Sequence, residues 1–119
     1  GSASAMAAGA AAYLAGGDAR KIATAAALAL KSLLGLACDP VAGLVEVPCV
    51  KRNGFIAVHA MLAADMALAG VESVIPPDDV IDAMNRIGRS MPRAIKETAE
   101  GGLATTKTGL ALAKKIFGQ

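Results

Sequence analysis

Apolar residues recur along this chain at helical spacing, and no strand-like alternation runs long enough to build a sheet. Residues from about Ser2 to Leu14 read as an Ala-rich helix ended by Gly16-Gly17. Asp18 is placed to N-cap a second helix that runs to about Leu34, with Gly35 as its stop. The short Gly-Gly-Asp link makes these two helices an antiparallel hairpin. Residues 36–50 break the pattern. Pro40, Gly43 and Pro48 among β-branched neighbours predict a loop with an extended patch. A third helix is predicted from about Lys51 to Ala69, with Gly70 as its cap. A fourth opens at Pro76-Pro77-Asp78-Asp79, where proline suits the first turn and the acids suit the positive end of the dipole. Val80, Met84, Ile87 and Met91 mark its apolar face, and Pro92 ends it. A short helix follows, then a Gly-rich loop from Glu100 to Gly109, then a last helix over about Leu110 to Phe117. The prediction is an all-α fold. A single domain over residues 1–119 forms a bundle of about five helices with an irregular, cysteine-bearing loop.

Composition sharpens this picture. Alanine fills 28 of 119 positions and aromatics only 3%. Alanine loses no side-chain entropy in a helix and lets helices approach closely. The resulting core has few bulky groups, so stability is expected to draw on a partner or a cofactor. The net charge of +2, with no basic run interleaved with aromatics, gives no footprint for nucleic acid. The longest uncharged run, Gly1 to Gly17, is shorter than the ~20 apolar residues a membrane span needs. No basic residue precedes the first apolar run, so no secretory signal is expected and the chain reads as cytoplasmic.

Two cysteines, Cys38 and Cys49, sit near the ends of the irregular loop. Thiolates bind soft metals and iron–sulfur clusters, and a loop can wrap an inorganic core. The ten-residue separation matches no standard metal motif, and two buried free thiols are an equally good reading of the spacing. Two thiolates also need a further ligand from elsewhere. Arg52-Asn53, just beyond the loop, could bind a substrate carboxylate through a bidentate arginine contact, or could simply open a solvated helix. Lys96-Glu97-Thr98 precede Gly101-Gly102, a run able to present backbone N–H groups to an anion. The commoner outcome for such a run is a cap and a connector. His59, the only histidine, reads as a hydrogen-bonded packing residue more readily than as a base or ligand.

The run CDPVAGLVEVPCVKRN, Cys38 to Asn53, closely resembles the signature of iron–sulfur-dependent L-serine dehydratase α chains. The resemblance continues through ADMALAG, VIPPDDVIDAM and KETAEGGLA and covers nearly the whole chain, including GSASAMAA at its start. It implies a lyase that converts L-serine to pyruvate and ammonia. A [4Fe–4S] cluster held by three cysteines serves as Lewis acid, and no pyridoxal phosphate is needed. Two of the three cysteines correspond to Cys38 and Cys49. The third lies, in the family, a few residues before the position of Gly1, so it is absent here and the isolated chain is expected to be inactive. Arg52, Asn53, Lys96, Glu97 and Thr98 are implied to line the site or to support the cluster loop; no base is identified. The partners implied are L-serine, a separate β chain and further α chains. Two other readings stay open: a non-catalytic helical interaction module, and a cluster-dependent lyase acting on another β-substituted amino acid.

Overall fold

The structure, a computed structural model, describes residues 1–118. Among them are five α-helices: α1 (Ser2–Leu14), α2 (Ala19–Lys31), α3 (Cys49–Leu68), α4 (Pro77–Ser90) and α5 (Lys107–Phe117). No strand is present among the described residues, so the fold is all-α as the periodicity predicts. No helix among them is long and apolar enough to cross a membrane. The described residues fall into two compact units. One comprises Gly1–Gly35 and Gly54–Arg89; the other comprises Leu36–Asn53 and the chain from Ser90 onward.

In the first unit, α1 and α2 run antiparallel. A Cβ added at Gly9 would touch Ile22 and Ala26, while one at Gly1 would touch Leu30 and Leu33. Asp18 caps α2 by accepting the Lys21 backbone N–H at 2.9 Å. The main core is almost wholly alanine: Ala8 and Ala12 from α1, Ala25, Leu28 and Ala29 from α2, and Ala60, Ala63, Ala64 and Ala67 from α3. Small side chains permit this close packing, but each buries little apolar area, so the hydrophobic gain per residue is modest. Val80 on α4 is the largest side chain that is fully buried, packed with Ala27 and Leu30. Meanwhile Phe55, Val58 and Leu62, at i, i+3 and i+7 on α3, are 78%, 69% and 56% exposed. His59 is a packing residue here, with Nε2 3.0 Å from the Ala29 carbonyl oxygen.

In the second unit, the 3-10 turn Val41–Gly43, the 3-10 turn Gly102–Thr105 and α5 pack together. Thr106 caps α5, its Oγ1 accepting the Gly109 N–H at 3.1 Å.

Four boundaries differ from those the sequence predicts, each for a local reason. Helix α2 stops at Lys31 instead of Leu34, because Ser32 Oγ takes the Leu28 carbonyl and the Leu33 N–H tightens onto Leu30. Helix α3 begins at Cys49, two residues early, because Val50 and Arg52 already bond back to the Glu46 and Pro48 carbonyls. Cys49 is therefore the first residue of a helix and not part of the loop. The segment after Pro92 forms one 3-10 turn, Arg93–Ile95, in place of a short helix. Helix α5 starts at Lys107, three residues earlier than predicted, because Thr106 supplies a cap that the glycine-rich reading passed over.

Candidate functional site

The site belongs to the second unit and is built around Cys38. The peptide on either side of this cysteine is fixed by backbone bonds. Its N–H donates to the Ile95 carbonyl at 2.9 Å, and its carbonyl accepts the Glu97 N–H at 2.9 Å. The pairing is a single parallel bridge between Cys38 and Lys96. The KET run is thus brought to the cysteine through its main chain. Glu97 holds a left-handed φ of +60°, a conformation that non-glycine residues seldom adopt and that persists only where surroundings enforce it. Thr98 turns back on its own segment, Oγ1 donating to the Arg93 carbonyl at 3.0 Å. Lys96 and Glu97 carry exposed side chains, and Thr98 is half-buried.

Arg52 connects the two cysteine-bearing segments. It lies in the first turn of α3, three residues after Cys49. Its Nη1 donates to the carbonyl of Ala37 at 2.6 Å, and its Nη2 lies 3.7 Å from Asp39 Oδ1. Ala37 and Asp39 flank Cys38, so one guanidinium grips both sides of the cysteine. One terminal nitrogen, Nη1, is thereby engaged in a hydrogen bond within the protein, while Nη2 faces Asp39 without one. Asn53 is exposed at the next position.

Asp39 is the residue that sequence reasoning missed. Its side chain is 5% exposed, and its Oδ2 accepts the Leu103 N–H at 2.6 Å. The GGLA run is shaped to this carboxylate. Gly102 has φ +57°, and a Cβ there would overlap the Asp39 carboxylate. A Cβ at Gly101 would lie 2.8 Å from the Ala94 carbonyl oxygen. The two glycines therefore admit a buried anion and a close backbone approach. The sequence marks Asp39 only as a charge beside Cys38, in a loop that also holds Glu46, and nothing local singles it out.

Cys38 and Cys49 are both free thiols and both partly exposed. Among the described residues no three His, Cys, Asp or Glu side chains gather as a metal site. The two thiols have different supports: Cys38 sits on a loop pinned by backbone bonds, and Cys49 opens α3.

Comparisons with known proteins show the family of the chain. Residues 1–104 match the model of the family described as serine dehydratase alpha chain. The chain is 64% identical over 118 residues to a probable L-serine dehydratase, alpha chain, of Bacillus subtilis (strain 168), covering 99% of this chain and 39% of that protein. It is 59% identical over 119 residues to a probable L-serine dehydratase, alpha chain, of Latilactobacillus sakei, covering 100% of this chain and 57% of that one. An L-serine dehydratase, alpha chain, of Peptoniphilus asaccharolyticus is 50% identical over 109 residues, which cover 92% of this chain and 37% of the relative. The chain thus spans well under two thirds of the length of these relatives. No solved structure matches it. The chain belongs to the serine dehydratase alpha chain family.

Proposed function

We propose that this chain is the cluster-bearing part of an L-serine dehydratase α chain, acting in the conversion of L-serine to pyruvate and ammonia. The observation that carries this reading is the pairing of Cys38 and Cys49 segments through Arg52, in a chain 64% identical to a protein named as a probable L-serine dehydratase, alpha chain.

The donor set suits an iron–sulfur cluster in kind, since both thiols are free and reachable from solvent. It supplies two ligands, and the reading requires a third from outside residues 1–118. Cys38 and Cys49 would hold the cluster. When bound, such a cluster supplies Lewis acidity at an iron without a cysteine ligand. The chain's own residues do the positioning. The backbone bonds of Cys38 to Ile95 and Glu97 fix one ligand, the first turn of α3 fixes the other, and Arg52 ties the two segments. In the overall reaction the substrate loses its Cα proton and its β-hydroxyl. The resulting aminoacrylate tautomerises to an imine, and water releases pyruvate and ammonia. No residue of this chain is assigned the proton abstraction.

The reading includes a β chain as partner. Its support is the α-chain naming of the relatives; the exposed Phe55, Val58 and Leu62 on α3 leave an apolar face open to the rest of the α chain or to a partner. The experiment is anaerobic reconstitution of the full α chain with iron and sulfide, followed by a pyruvate assay on L-serine with and without the β chain. Pyruvate formation that needs both chains supports the proposal; iron loading without turnover of L-serine in any combination contradicts it.

A further inference from the structure

The geometry points to Asp39 as a positioning residue that acts through its charge: with Arg52 it forms a clasp that holds Cys38 in place before any metal is bound. The inference builds on the proposed ligand role of Cys38 and Cys49 for its purpose, but its evidence is independent of metal.

Three observations carry it. First, Asp39 is buried, and a buried carboxylate is unfavourable unless compensated. Second, its two oxygens are treated differently. Oδ2 has a conventional partner in the Leu103 N–H at 2.6 Å, whereas Oδ1 is fully enclosed with no hydrogen bond. What faces Oδ1 is Arg52 Nη2 at 3.7 Å, beyond hydrogen-bond reach but close for opposite charges in a site shielded from water. A neutral side chain of the same shape could keep the Leu103 contact. An asparagine that kept its oxygen on the Leu103 N–H would turn its NH2 group toward Arg52, donor against donor, whereas the carboxylate offers the guanidinium a negatively charged oxygen. Third, the same Arg52 donates to Ala37 on the other side of Cys38. Releasing Asp39 therefore frees one prong of Arg52 and loosens the link between the Cys38 loop and the turn that carries Cys49. The glycine at 102 follows from this device, because a side chain there would occupy the place of the Asp39 carboxylate.

A packing role and a charge role separate cleanly at Asp39→Asn, which preserves shape and removes charge. The readout is hydrogen exchange of the Cys38 and Glu97 amides in metal-free full-length protein, with Ala29 and Ala63 amides as controls for the first unit. Asp39→Asn and Arg52→Met are each expected to lower protection at Cys38 and Glu97 about tenfold, the size of one lost contact to a charged group. Arg52→Lys restores a cation and is expected to recover part of that loss. The double variant Asp39→Asn/Arg52→Met is expected to be little worse than either single one, because the two groups act as a pair. Four results overturn the inference: wild-type protection in Asp39→Asn, effects of the two substitutions that simply multiply, no recovery in Arg52→Lys, or an equal loss of protection at Ala29 and Ala63. Iron content of Cys38→Ser, measured separately, tests the ligand reading and leaves this result untouched.

Discussion

Arg52 donates to the main-chain carbonyl of Ala37 across 2.6 Å, joining the first turn of α3 to the residue that precedes Cys38. The two cysteines are eleven positions apart in the sequence, but their supports are linked by this single side chain. Under the proposed ligand role of the two thiols, a link of this kind would help them hold their geometry before the cluster binds.

The glycines of the GGLA run give a sharp contrast with a glycine elsewhere. Gly102→Ala adds a Cβ into the space of the Asp39 carboxylate at a left-handed φ. It should lower stability by about 1–3 kcal/mol from backbone strain alone, with further loss from the displaced Leu103 contact. Gly54→Ala adds a Cβ to an exposed position of α3 with no atom within 4 Å. It should raise stability by about 1 kcal/mol through helix propensity. Urea denaturation of both variants checks the pair.

The cap on α5 is a small, local determinant. Thr106→Ala removes the oxygen that accepts the Gly109 N–H and should cost about 1 kcal/mol. Thr106→Ser keeps the oxygen and should restore most of the loss. Denaturation midpoints at equal m-values report the difference.

Among the described residues Val80 is the largest side chain that is fully buried, packed with Ala27 and Leu30 in a protein whose main core is nearly all alanine. Val80→Ala should destabilise by about 2 kcal/mol, the scale of burying a valine. A substitution at exposed Val58, such as Val58→Thr, should stay within about 0.5 kcal/mol. Thermal unfolding of the two variants separates them.

Val74 is 86% exposed and holds φ +65°, an outlier for a β-branched residue. Val74→Asn should stabilise the protein by about 1 kcal/mol, because asparagine visits this region at a lower steric penalty. An unchanged or lower midpoint in the same unfolding experiment would show that the strain is not relieved there.

Much of the fold is legible in the sequence because its signals are local. Asp18 reads as a cap and is one, Pro77 opens α4, and Pro92 follows its end. The misread boundaries are those where a side chain competes with the backbone. Ser32 diverts the Leu28 carbonyl at the end of α2, and Thr106 starts α5 inside what reads as a glycine loop. The site was half legible. Cys38 and Cys49 stand out by chemistry and Arg52 by position. Asp39 does not, since its importance lies in a contact with Leu103, 64 residues away in the chain. No local pattern encodes such a contact. For the same reason the GGLA glycines read as a flexible connector, when they accommodate a carboxylate from a distant loop.

The most direct test of the central claim is the iron and sulfide content of anaerobically reconstituted full-length α chain, compared among wild type, Cys38→Ser and Cys49→Ser. The account predicts a loaded wild type with the absorption of a thiolate-held cluster, and loss of most iron in each single variant. Wild-type cluster content in both variants would contradict it, leaving the pinned loop and its clasp without the ligand role assigned to them.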